Sequence, residues 1–352
     1  MGTGIVSVGL ALDGEDALSR TLFAIAAAGW LVSAVAAVAR ARLPASLTGV
    51  AGTAVLGARA AVFGWGRVAT VALALAVAMW LALVPDLVRM PRERTVGTSF
   101  LVVVATESIA VLAALVSQVE DARWLATAAV AALVFGLATY PFVARRFDLR
   151  EVASGHGDQW VAGGALAITA LACAEVGGAA TGALHTTLDY AALVVWVPAI
   201  GWLPVLVAGE LHGPRRGFDL RRWATVFPVG MYAVCSFLVA RVDDVGSIAT
   251  FARAWAWVAL VVWVTAIAWL PVLVAGELRG PRRGFDLRRW ATVFPVGMYA
   301  VCSFLVARVD GVGSIATFAR TWAWVGLVVW LLAFAGAARR GVRRVAHYDP
   351  RQ

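Results

Sequence analysis

Three ionisable side chains lie deep inside long apolar stretches: Arg59, Glu107 and Glu175. A charge at membrane depth costs at least ~2.5–3.5 kcal/mol if it faces lipid, so such groups point to a protein interior or a water-filled path. Arg59 could lend positive potential to an anion path. It could instead snorkel to the interface, or pair with a carboxylate on a neighbouring helix. Glu107, near the middle of its stretch, could carry a proton in a coupled carrier or pair with Arg59. Glu175 sits nearer the end of its stretch and reads as interfacial. Hydroxyls and glycines accompany them, among them Thr3, Thr53, Thr106, Thr169 and Gly230. Small residues of this kind allow helices to approach closely or leave a narrow lumen between them. Phe227-Pro228, repeated as Phe294-Pro295, sets a bulky ring beside a helix breaker. A kinked helix carrying such a ring could plug a narrow lumen; the plainer reading is a packed aromatic beside a tolerated membrane proline.

Nothing in the chain suggests catalysis. The four histidines (His156, His185, His212, His347) do not cluster, and Cys173, Cys235 and Cys302 have neither metal nor disulfide spacing. No nucleophile elbow, paired carboxylates or nucleotide-binding loop is visible. The chain is therefore read as a non-enzyme, with no cofactor and no metal. A membrane-embedded enzyme would need more converging polar groups than Arg59, Glu107 and Glu175 supply.

The elements that must position these residues are apolar and long. Of 352 residues, 61% are hydrophobic and only 14% charged, against about half and a quarter in soluble domains. Twelve apolar runs are expected as helices, at 1–12, 19–39, 48–64, 67–88, 97–117, 123–144, 159–180, 187–208, 223–240, 247–275, 290–307 and 314–337. The first is too short to span, which suggests that Met1 stands partway down a helix. Even-numbered runs are bulky and greasy. Odd-numbered runs carry the glycines and hydroxyls, and all three deep ionisable residues. The simplest packing pairs each odd run with an even one as a hairpin, odd helix inward and even helix toward lipid, so that hairpins ring a central axis. The segments are a membrane core over 1–246, a second part over 247–337 and a basic tail over 338–352.

All 30 basic residues are arginine and the net charge is +9. Placing the N-terminus in the cytoplasm puts 22 arginines in loops at 40–42, 89–94, 145–150, 215–222, 279–289 and in the tail, against seven on the other side. This bias predicts a multi-pass protein of the plasma (inner) membrane with both termini cytoplasmic. The basic balance thus reflects cytoplasmic loops and contact with membrane lipid, not nucleic acid.

Residues 193–259 recur at 260–326 with six differences in 67 positions. The repeat inserts one whole hairpin, so a ten-helix design of five hairpins becomes about 12 helices. One slot is then offered two near-identical occupants, 223–240 and 290–307. The first copy is expected to fill it, because it follows the eighth run through a short loop. A non-functional duplicated product is the bleaker alternative.

Met1-Gly2-Thr3-Gly4-Ile5-Val6-Ser7 resembles the first-helix motif of the tellurite-resistance/dicarboxylate transporter family, which includes the plant guard-cell slow anion channels. Trp223-Ala224-Thr225-Val226-Phe227-Pro228-Val229-Gly230-Met231-Tyr232 resembles its ninth-helix motif, and Thr53-Ala54-Val55-Leu56-Gly57 and Ala105-Thr106-Glu107-Ser108 are similar to other family segments. The resemblance implies an all-α membrane protein with five hairpins in a quasi-five-fold ring, often a homotrimer. It also implies a pore lined by odd helices and a gating phenylalanine, carried over to Phe227 and its copy Phe294. The expected function is a channel or permease for small anions, with a proton-coupled C4-dicarboxylate or sulfite exporter as the alternative. Residues expected along the pore or in coupling are Arg59, Glu107, Glu175, Thr3, Thr53, Thr106 and Gly230.

Overall fold

A long apolar segment in lipid must satisfy its backbone polar groups internally, and a helix does this within one segment. In the computed structural model the described residues are 3, 7, 10, 14–38, 43–88, 95–154, 158–212, 317, 319–328, 330 and 331. Runs two to eight fold as seven long helices: α1 (Asp16–Val38), α2 (Leu43–Val62), α3 (Gly66–Val88), α4 (Leu101–Val119), α5 (Arg123–Ala144), α6 (Val161–Ala179) and α7 (Ala183–His212). A 3-10 turn, Gly97–Phe100, leads into α4, and a single turn, Glu151–Ser154, lies between α5 and α6. Residues 3, 7 and 10 of the first run are helical, as are the described residues of 317–331 in the last run. Among the described residues there is no strand, only an isolated bridge between Thr95 and Phe147. Among the described residues five helices are long and apolar enough to cross a membrane, within α3, the segment Gly97–Val119, α5, α6 and α7. The ninth to eleventh runs, and with them most of the repeated hairpin, lie outside the described residues.

The chain reverses tightly between hairpin partners. After α2, the Gly64 N–H bonds Ala61 O (2.8 Å) and the Trp65 N–H bonds Ala60 O (2.9 Å). This pair of bonds ends a helix through a left-handed residue, here Gly64 at φ +75°. Asp121 takes the same role after α4, at φ +49°, with the Ala122 N–H on Ser117 O (3.0 Å). Both turns give α2–α3 and α4–α5 as antiparallel pairs, and α6–α7 follows as the third.

Packing separates two sets of helices. In the membrane-length window of Gly97–Val119, 78% of residues are buried, and in α6 83%, against 22% in α3, 22% in α5 and 39% in α7. Helices α2, α4 and α6 pack successively on one another, and each also packs on its own hairpin partner. Gly57 permits the first of these approaches: a Cβ there would stand 2.7 Å from Leu112 of α4 and 2.8 Å from Ala72 of α3. We call α2, α4 and α6 the inner helices and α1, α3, α5 and α7 the covering helices. At the 95–100 end an aromatic stack links the turn before α4 with α5 and α7. Phe100 lies 5.2 Å from Tyr140 and 5.5 Å from Phe147, and Phe147 lies 6.1 Å from Trp202.

A second, smaller core joins the two ends of the chain. Leu10, Leu22, Ala319, Ala323 and Trp330 are buried together. Ser7 and Ser19 exchange hydroxyl-to-carbonyl bonds of 2.7 and 2.8 Å, which lock the first run onto α1.

Candidate functional site: the hydroxyl joints between inner and covering helices

The threonines singled out by residue type sit where inner and covering helices meet. Thr53 of α2 is buried, and its hydroxyl accepts the indole N–H of Trp30 from α1 at 2.6 Å. Thr106 of α4 is buried and accepts the indole N–H of Trp80 from α3 at 3.0 Å. Thr3 of the first run accepts the indole N–H of Trp330 from the last run at 2.9 Å. Thr53 donates its own hydrogen to Gly49 O and Thr106 to Val102 O, both at 2.8 Å. As bonded, the two hydroxyls have their hydrogens on their own helices and lone pairs on a neighbour, so they hold hairpins together.

Glu107 follows Thr106 and is fully buried. Its carboxyl lies against Gly136 of α5, where any Cβ would collide with Oε1. Oε1 is 3.2 Å from the Thr169 hydroxyl of α6, and that hydroxyl is 2.8 Å from Ala165 O. Oε2 is buried without a hydrogen-bond partner. Cys173, one turn beyond Thr169, is buried and within electrostatic reach of Glu107. Three helices therefore meet at this carboxyl.

Arg59 is buried near the other end of α2. One Nη donates to Ser19 Oγ of α1 at 3.1 Å, and the guanidinium stacks 4.0 Å over the Phe63 ring. Its Nε is buried with no hydrogen-bond partner, and Asp16 of α1 is within electrostatic reach. Arg59 and Glu107 do not pair: each has its own partners, and among the described residues no ion pair joins them. Glu175 is half-buried on α6. Phe227, Gly230 and Phe294 lie outside the described residues. Among the described residues no three histidine, cysteine or acidic side chains converge as metal ligands.

Sequence reasoning missed three parts of this arrangement. The indole N–H groups of Trp30, Trp80 and Trp330, none of which the sequence singled out, turn toward buried or half-buried threonines. Gly136, on a helix of the greasy set, makes the room for Glu107. Thr169 was noted only as one polar residue among several, and it is the bonding partner of Glu107. The available signal was a tryptophan on an even run ahead of a threonine on the next odd run, seen at Trp30/Thr53 and Trp80/Thr106.

The sequence of this chain matches one family description, that of the voltage-dependent anion channels. It matches residues 1–268 and again 245–338. The chain belongs to the voltage-dependent anion channel family. The second match runs through the repeated hairpin, so the overlap at 245–268 falls where the sequence repeats. The family resemblance carried by the first- and ninth-run motifs is thereby borne out. As a member of a family of channels and transporters, this chain is an integral membrane protein. It is also similar to "Uncharacterized membrane protein Rv1735c" of Mycobacterium tuberculosis strain ATCC 25618 / H37Rv, 38% identical over 129 residues. The same figures hold for "Uncharacterized membrane protein MT1776" of strain CDC 1551 / Oshkosh. In each case the match covers 33% of this chain and 64% of the relative.

Proposed function

We propose that this anion channel family member passes small anions across the membrane along its inner helices, with the covering helices facing lipid. The observation that carries the reading is the burial contrast: α4 and α6 are enclosed, while α3 and α5 on either side of α4 keep most of their surface outward. A ring of five hairpins extends this pattern, and the meeting of the last run with the first at Trp330 and Thr3 supports its closure. The arginine bias supports a plasma (inner) membrane protein with both termini in the cytoplasm. Assembly as a homotrimer follows the family resemblance.

The gate belongs to the phenylalanine of the ninth-helix motif. The sequence alone favoured the first copy, Phe227. The closure contact shifts the proposal to the second. The last run packs on Leu10 and Leu22, and the 290–307 segment precedes it by a short loop. That hairpin is therefore the one we expect to complete the ring, and we assign the gate to Phe294, which like Phe227 lies outside the described residues.

Purified protein in liposomes tests the function. Chloride, nitrate, sulfite and a C4-dicarboxylate are loaded in turn, and efflux is driven by membrane potential with no pH gradient. Flux of at least one anion above protein-free liposomes is expected. Liposomes that stay as tight as the protein-free control for every anion reject the reading. The second reading, a proton-coupled dicarboxylate or sulfite exporter, is favoured by the buried carboxyl of Glu107. It requires substrate to accumulate against its gradient when a pH gradient is imposed.

A further inference from the structure

The hydroxyl joints share one pattern of donors. An indole N–H can only donate. At Thr53 and Thr106 the direction is therefore set: indole to hydroxyl, hydroxyl to the carbonyl four residues earlier. Thr169 of α6 keeps the second step, 2.8 Å to Ala165 O. The covering helix α5 brings no indole to it. Gly136 stands at that place, and the space takes the Glu107 carboxyl, with Oε1 3.2 Å from the hydroxyl. Thr169 has a single hydroxyl hydrogen. Thr169 Oγ1 is within donating distance of both Ala165 O, at 2.8 Å, and Glu107 Oε1, at 3.2 Å; with its one hydrogen on the nearer Ala165 O, the hydrogen for the contact with Glu107 comes from Glu107.

We infer that Glu107 and Thr169 form a proton-binding site, in which the neutral carboxyl of Glu107 donates to the Thr169 hydroxyl and fills the role of an indole. Two further observations agree. Oε2 is buried with no hydrogen-bond partner, which a neutral carbonyl oxygen tolerates far better than an ionised one. Among the described residues no arginine forms an ion pair with Glu107. The groups facing the carboxyl are uncharged Gly136 from α5, and Thr169 and Cys173 from α6. Arg59 of α2 is engaged with Ser19 and Phe63 instead.

Loss of the proton has two effects. The carboxylate can no longer donate, so Thr169 must give up Ala165 O to serve it, and the α4–α5–α6 joint changes while the indole joints do not. A negative charge also appears beside the inner helices. Resting on the anion-path reading, this site lets anions pass when Glu107 is protonated and opposes them when it is ionised, so flux falls as pH rises.

Infrared difference spectra of the full chain in lipid nanodiscs, taken across a pH step, test the site directly. A protonated-carboxyl C=O band is expected in the wild type, absent in Glu107→Gln and shifted in Thr169→Val. An unchanged set of carboxyl bands in Glu107→Gln, or an unshifted band in Thr169→Val, overturns the proposal. These results do not depend on transport, so they separate failure of the site from failure of the anion reading. In liposomes, wild-type flux should fall several-fold from mildly acid to mildly alkaline pH. Glu107→Gln, which keeps a donor, should hold the acid-side rate throughout. A Glu107→Gln profile that follows the wild type also overturns the proposal. Should Glu107→Gln not fold, the band in wild type and its shift in Thr169→Val decide alone.

Discussion

At the scale of single residues, tryptophan serves this protein as a hydrogen-bond donor between helices. Trp80 shows the balance of terms. It is half-buried, it meets Phe135 edge-on at 5.4 Å, and its N–H reaches Thr106. Trp80→Phe keeps the aromatic contact and removes the donor. Thr106 retains its bond to Val102 O, so the loss should be about 1 kcal/mol, the net value of one hydrogen bond. A melting temperature lowered by a few degrees, read by chromatography of heated detergent samples, is the expected result; an unchanged one would show that the indole bond adds nothing. Residue types alone marked Thr53, Thr106 and Glu107 as polar groups in apolar runs. They could not show which way each turned. A helix is specified in sequence by its period, but its rotation is set by the helices packed around it. Gly136 illustrates the gap: in sequence it is one small residue in a greasy run, and its meaning lies wholly in the carboxyl opposite.

At the scale of elements, the legible part was large. Alternation between polar-bearing and greasy runs foretold which helices are enclosed, because a helix meeting lipid on most of its surface has no use for hydroxyls. The ends of runs were less legible. Asp121 at φ +49° closes α4, and an aspartate in a left-handed cap is an uncommon choice that no spacing rule selects. Gly64 is the readable counterpart. Its φ of +75° would cost an alanine roughly 1–2 kcal/mol. Gly64→Ala should therefore lower thermal stability, although a Cβ there meets nothing within 4 Å. Equal stability of Gly64→Ala and wild type would refute the backbone argument, since no side-chain clash exists to blame.

At the scale of the whole molecule, the repeat and the closure contact bear on one another. Trp330 is the third appearance of a tryptophan that stands at 196 and 263 in the repeat, and it bonds Thr3. If the 290–307 segment completes the ring, removing its plugging ring opens the path. Phe294→Ala should raise anion current in bilayers well above wild type, while Phe227→Ala stays near it. A large current from Phe227→Ala alone would return the slot to the first copy. No change in either mutant or in the double mutant would remove the gate. Sequence could present the two copies but not choose between them, because they are nearly identical; the choice depends on what the last run touches, a contact between residues 327 positions apart.

That separation also has a temporal meaning. A ribosome makes Thr3 327 residues before Trp330. The buried partners of the first run include Ala319, Ala323 and Trp330, and none of them exists until the intervening helices have been made. Until then Leu10 has Leu22 of α1 as its buried partner, and the paired Ser7 and Ser19 bonds can hold the first run on α1. Late contacts between distant parts of a chain are the slow, exposed stage of folding. The two serines are thus placed to clasp the first run to α1 until the helix bearing Trp330 docks.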